Sequence, residues 1–218
     1  MHGTFETMES VDISTKIIDC YTENSQKFTG QYESLTPAEV FGSAISLFPL
    51  MPSFTLDIGA GSGRDAAWMA RQGHIVTAVE PSDGMRELAI RTHADQPITW
   101  VADRLPELKS VQRPEGGFDF ILISAVWMHL VPEDRGIAFR RLAELVSANG
   151  TILISLRHGT SDPARPMLPI DTATEIENAK LAGFRLAKTV NTEEDDKLGR
   201  GDVHWELLQL SLKAEQAP

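Results

Sequence analysis

The sequence predicts an α/β fold, a mostly parallel sheet with helices on both faces, and three observations carry that reading. From residue 54 onward, strand-like and helix-like segments alternate. Two near-continuous apolar runs, Phe118 to Ile123 and Ile152 to Leu156, fit strands buried on both sides. Finally, Gly59, Gly61 and Gly63 join a short apolar run containing Asp57 to an alanine-rich segment, which is the form of a strand, a tight turn and a helix. Parallel neighbours need crossover connections, and the intervening helices supply them.

Taken in order, residues 1–10 have no periodicity and read as loose, whereas Ile13, Ile17, Ile18 and Tyr21 give residues 11–22 a short helix. Glu23 to Leu35 is polar apart from Phe28 and Tyr32 and reads as a loop or lid. Thr36-Pro37-Ala38-Glu39 combines a capping threonine, a proline at the first helical position and a glutamate three residues after the cap, so a helix starts there. Its apolar face is Phe41, Ala44, Ile45 and Phe48, and Pro49 and Pro52 end it. Residues 1–52 thus form an N-terminal helical lid and 53–218 the core, a single domain overall.

Within the core the pattern predicts strands at 54–58, 75–80, 98–101, 118–123 and 150–156, with helices at 63–72, 82–92 and 132–147. Thr172 to Glu175 reads as a second capping box that opens a helix ended by Gly183. Phe184 to Val190 and Val203 to Leu212 are strands joined by Asn191 to Gly201, too short for a crossover helix, and so form an antiparallel pair.

Composition narrows the partners. The 218 residues carry a net charge of -11 at a pI near 5.0 and have no basic patch, so nucleic acid is not expected. A single cysteine, Cys20, excludes an intrachain disulfide and a cysteine metal cluster, and no metal is expected. No apolar run is long enough for a membrane span and the first ten residues lack a leader pattern, so the expected location is cytoplasmic.

Three carboxylates, Asp57, Glu80 and Asp103, fall at the carboxyl ends of the first three predicted strands, the edge where open parallel sheets bind ligands. Glu80 stands about twenty residues beyond the glycine turn, where an acceptor for ribose hydroxyls belongs, and Asp103 can accept from an exocyclic amine. An adenosine moiety follows. A dinucleotide does not, because Arg64 follows Gly63 where the dinucleotide fingerprint needs a different glycine spacing, and Asp57 would repel a pyrophosphate but favour a cation.

Leu-Asp-Ile-Gly-Ala-Gly-Ser-Gly at 56–63, Ala-Val-Glu-Pro-Ser at 78–82, Val-Ala-Asp at 101–103 and Phe118 to Leu130 together resemble the ordered motifs of class I S-adenosylmethionine-dependent methyltransferases. The resemblance covers residues 54–156. It implies a Rossmann-like, doubly wound seven-stranded sheet of order 3-2-1-4-5-7-6 with an antiparallel last strand. S-adenosylmethionine would be the cofactor and S-adenosylhomocysteine the product. Asp57, Gly59, Ala60 and Gly61 would hold the methionine part, Glu80 the ribose and Asp103 the adenine amino group. Met85 and Trp127 would line the adenine and methionine sides, and Tyr21, Pro81, Arg104 and Ser124 complete the cofactor set. Arg64 either reaches the cofactor carboxylate or is solvated.

Methyl transfer from a sulfonium mainly requires positioning and exclusion of water. His129 is the candidate general base by position and by the near-neutral pKa of histidine, with a packed turn residue as the alternative. Arg157 and His158, at the carboxyl end of a strand, would clamp an acidic acceptor; Arg200, Gly201, His204 and Trp205 could reach the same pocket. With no added domain and an acidic surface, the acceptor is expected to be a small molecule methylated on O, N or S, and the protein a monomer or homodimer. The alternatives are a protein or RNA methyltransferase, against which Ser-Ala-Val-Trp at 124–127 stands, and a binding module without catalysis.

Overall fold

The computed structural model describes residues 5–162, 165–192 and 201–213, with the side chains of 5–12 and 192 excepted. Helices α1 (Phe5–Glu23), α2 (Ser25–Glu33) and α3 (Pro37–Phe41) precede a 3-10 segment at Gly42–Leu47. The core follows as β1 (Phe54–Ile58), α4 (Arg64–Arg71), β2 (Ile75–Val79), α5 (Asp83–Thr92), β3 (Ile98–Val101), β4 (Phe118–Ile123), α6 (Pro132–Leu145), β5 (Val146–His158), α7 (Thr172–Leu181), β6 (Phe184–Thr192) and β7 (His204–Leu212).

The seven strands form one sheet in the order β3-β2-β1-β4-β5-β7-β6, parallel except that β7 runs antiparallel to both β5 and β6. This is the predicted order. Residues that face both ways along the central strands leave apolar clusters on each side. Ile58, Ile121, Ile154 and Phe139 belong to one, and Phe120, Leu122, Leu153 and Met69 to the other.

Three local expectations are corrected. Residues 25–33 are helical rather than a loop: Phe28 and Tyr32 are four apart and share one face, so two apolar residues suffice to seat an otherwise polar helix. The segment Phe5–Ser10 belongs to α1 rather than being loose. At α7 the cap is Asp171, whose side chain accepts from the Thr174 N–H at 2.8 Å, and Glu175 turns into the core instead of closing a capping box. The box at Thr36 forms as the sequence predicts, with the Thr36 N–H donating to the Glu39 carboxylate at 2.7 Å.

Helix α1 passes close to the core at one small residue. A Cβ on Gly84, at the start of α5, would lie 2.7 Å from the Thr22 carbonyl, so glycine permits α1 to pack there. The Thr22 and Ser82 hydroxyls then hydrogen-bond at 2.9 Å.

Candidate active site

A cavity of about 840 Å³ opens at the carboxyl edge of the sheet, between the strand ends, the N-terminal helices and β7. Asp57, Gly59, Ala60, Gly61, Arg64, Glu80, Pro81, Asp103, Arg104, Ser124, His129, Arg157 and Tyr21 all line it. Most of the residues proposed from sequence are therefore brought together.

The floor is the turn after β1. Both Gly59 and Ala60 donate their N–H groups to the Val79 carbonyl, at 2.8 and 2.9 Å, which folds the turn onto the end of β2. Gly59 has φ +70° and a Cβ there would stand 2.3 Å from Val126 Cγ2, so no other residue fits without displacement. At Gly61, with φ +56°, a Cβ would stand in ordinary contact with the Tyr32 ring at 3.8 Å.

Each floor carboxylate has its own environment. Glu80 accepts from the Gly61 N–H and the Ser82 N–H, both at 2.8 Å. Burial nevertheless raises its carboxyl to about 7, against those donors and the nearby Arg86. Asp57 is pushed well above the usual carboxylate range by burial and then by the neighbouring Asp65, and its Oδ2 is buried with no hydrogen-bond partner. Asp103 accepts from the backbone N–H groups of Arg104 and Ser110 and so orders the loop that follows β3.

Arg64 is neither solvated nor free: its Nε and Nη2 both donate to the Asp65 carboxylate at 2.8 Å, and Nη1 donates to the Tyr32 carbonyl at 3.4 Å. Arg104 reaches the lid, donating to the Ser14 hydroxyl at 2.9 Å.

In the same cavity, the lid and the segment after β5 meet. His129 Nδ1 lies 3.1 Å from the Pro166 carbonyl, which can only accept, so Nδ1 carries the proton and Nε2 accepts from the Tyr21 hydroxyl at 3.3 Å. Burial lowers the imidazole to about 4, with the positive charges of Arg165 and Arg157 acting in the same direction. This corrects the expectation of a near-neutral pKa: at neutral pH His129 is uncharged and already engaged. Arg165 donates from Nη1 to the hydroxyls of Tyr21, at 2.9 Å, and Tyr32, at 3.1 Å, and its guanidinium lies over the Tyr21 and Phe28 rings. Ala125 adopts φ +58° and donates its N–H to the Ser155 hydroxyl at 2.7 Å, a left-handed turn at the end of β4 beside the cavity.

Five proposed residues, Trp127, Met85, His158, Gly201 and His204, lie outside the cavity lining. Trp127 is completely buried, packs on Phe139 with ring centroids 4.6 Å apart, and donates its indole N–H to Glu175 at 2.9 Å. It is a core residue because that carboxylate, itself paired with Arg135 at 2.8 Å, satisfies the indole inside the core. Met85 is fully buried beneath the glycine turn and does not reach the cavity surface. His158 is also outside the cavity lining, because strand side chains alternate. Arg157 and its cross-strand partner Trp205 face the cavity, while His158 bonds to Glu206 at 3.0 Å and stacks on its partner His204. Arg200 lies outside the described residues. Sequence reasoning missed the role of Arg165, for which the signal was its position just past a strand end; it missed Ala125 because alanine gives no hint of a left-handed backbone.

Residues 56–154 match the methyltransferase domain family. An uncharacterized methyltransferase of Mycobacterium tuberculosis is 32% identical over 120 residues, covering 52% of this chain and 58% of that protein. The ubiquinone biosynthesis O-methyltransferase of Azorhizobium caulinodans is 32% identical over 117 residues, covering 54% of this chain and 45% of that protein. The chain thus matches only about half the length of these relatives. Among solved structures, a 1,6-didemethyltoxoflavin-N1-methyltransferase from Burkholderia thailandensis superposes with a TM-score of 0.70 at 19% identity, covering 93% of this chain and 89% of that one. The magnesium protoporphyrin IX methyltransferase of Synechocystis gives 0.66 at 18% identity, covering 92% and 97%. The family match, the strand order and the glycine turn with its carboxylates together make residues 56–154 similar to a methyltransferase domain.

Proposed function

We propose that the protein transfers a methyl group from S-adenosylmethionine to an oxygen, nitrogen or sulfur atom of a small molecule by in-line displacement. The observation that carries this reading is the convergence of Asp57, Glu80 and the glycine turn on one cavity roofed by the N-terminal helices. When bound, the cofactor supplies a methyl group already activated on a sulfonium, so the chain has to position and shield rather than activate.

The residues present fit that cofactor. The orphaned Oδ2 of Asp57 suits a ligand ammonium, which would also restore the ionised carboxylate. Glu80 spends one lone pair of each oxygen on a backbone N–H and keeps the others for ribose hydroxyls. Asp103 orients its loop and would accept from the adenine amine with its remaining lone pairs. Tyr21 and the lid helices exclude water. His129 holds Tyr21 in place; to take a proton it would have to exchange the Tyr21 hydroxyl for that of the acceptor. Small acceptors are supported by the names of the relatives, which include a ubiquinone biosynthesis O-methyltransferase and a toxoflavin-precursor N-methyltransferase. Among the described residues no helix is long and apolar enough to cross a membrane, and a cytoplasmic monomer or homodimer completes the reading.

Calorimetric titration with S-adenosylhomocysteine tests it. Binding is expected, and Glu80→Ala should weaken it by about 1–3 kcal/mol, because the ribose loses a charged acceptor. An unchanged affinity would sink the Glu80 assignment, and binding of NAD instead would sink the whole reading. Affinity without turnover on any member of an acceptor library would mark a binding module.

A further inference from the structure

We propose that the methyl acceptor carries a carboxylate, on a largely apolar frame, and that the guanidinium of Arg165 receives it. The inference rests on the methyltransferase reading above and adds the chemical class of the acceptor.

Arg165 is only 9% exposed and lies at the acceptor end of the cavity, just past β5. A guanidinium stays charged when buried, and such a charge is costly unless an anion compensates it. Its hydrogen-bond partners are two phenols, Tyr21 and Tyr32, both meeting Nη1. Burial holds the Tyr21 hydroxyl well above its usual range, so it supplies no negative charge. The nearest carboxylate among the described residues is Asp162, 3.8 Å from Nη2, beyond hydrogen-bond reach and with its side chain 46% exposed. Nε is buried with no hydrogen-bond partner. The Nε and Nη2 edge is the one on which guanidinium takes a carboxylate through two parallel bonds, and among the described residues no hydrogen bond to that edge is seen, the Asp162 ion pair standing at 3.8 Å.

The surroundings point to the rest of the molecule. The guanidinium sits 4.9 Å from the Phe28 ring centroid and 5.3 Å from that of Tyr21, and Trp205 lines the same wall. Such a wall favours an apolar or aromatic body. Arg157, buried alongside and donating to the Thr160 carbonyl at 2.9 Å, adds a second positive charge to this end, and neutral His129 adds no negative one. Phe28, Tyr21 and Tyr32 all belong to α1 and α2, so the lid helices supply the wall around the arginine.

The test is titration of the S-adenosylhomocysteine-saturated protein with matched pairs: benzoate and benzamide, indole-3-acetate and indole-3-acetamide, hexanoate and hexanamide. At least one acid should bind ten or more times tighter than its amide. In Arg165→Met that ratio should collapse to about one, while Arg165→Lys, which keeps the charge but not the fork, should retain a reduced preference. Equal binding of acids and amides by the unaltered protein, no binding of either, or an unchanged ratio in Arg165→Met overturns the proposal. If Arg165→Met weakens acid and amide equally, the residue is only a lid latch; if it weakens S-adenosylhomocysteine and spares the ratio, it serves the cofactor. Tighter binding of phenyl phosphate than of benzoate would also overturn it. Failure of S-adenosylhomocysteine itself to bind would instead defeat the underlying methyltransferase reading.

Discussion

At Glu80, burial and hydrogen bonding pull in opposite directions, and burial prevails by enough to bring the carboxyl to about 7. In the proposed complex, ribose hydroxyls would donate to the ionised form, so protonation would compete with the ligand. The affinity for S-adenosylhomocysteine should therefore fall about tenfold between roughly pH 8 and pH 6, the drop expected when a group of pKa near 7 must be ionised for binding. Calorimetry across that range checks it, and Glu80→Gln should flatten the dependence. The place of Glu80 at the cavity was readable in the sequence because three carboxylates ended three strands in series. The fate of Trp127 was not readable, because nothing in a linear sequence says that a glutamate 48 positions later will meet its indole. Likewise, histidine's usual pKa misled at His129, since burial comes from the lid and the segment after β5, neither of which is adjacent in sequence.

Among the elements, the turn from β1 to α4 is tightly constrained. Gly59→Ala would put a methyl group against Val126 and force alanine into the left-handed region, a conformational cost of about 1–2 kcal/mol before any clash. We expect a lower unfolding midpoint together with loss of S-adenosylhomocysteine binding. Val126→Ala in the same chain should recover part of the stability, because it removes the clash but not the φ; no recovery would mean that contact with Val126 is not what excludes a side chain. Elements with strong local signals were legible: the Thr36 box, the glycine turn and the doubly buried strands appear where the sequence places them. Helix α2 was hidden because it is seated through Phe28, which stacks on Tyr32 and packs against Tyr21 and Arg165, rather than through an apolar stripe of its own. The cap of α7 was misread by one residue, since Asp171 and Thr172 are both capable caps and only the inward demand for Glu175 decides between them.

For the molecule as a whole, the Arg135, Glu175 and Trp127 network ties α6, α7 and the turn after β4 together inside the larger apolar cluster. Glu175→Ala leaves a buried guanidinium without its anion and should cost about 3–5 kcal/mol of stability, read from urea unfolding. A loss below about 1 kcal/mol would mean that the pair is compensated elsewhere. Strand order was legible through the resemblance, and the terminal antiparallel pair was legible from loop length alone; the closing of the lid on Arg165 was not, because it joins residues 144 positions apart.

The composition of the cavity wall has a kinetic consequence. Its surface combines Ser14 to Ser43 from the first helices with Asn191, Trp205 and Leu207 from the last two strands. Chain emerging from a ribosome can form the glycine turn early, but it cannot enclose a ligand until β7 has threaded between β5 and β6. Cofactor retention is thus a reporter of completed folding: a refolding chain should recover helical signal before it protects bound S-adenosylhomocysteine from exchange.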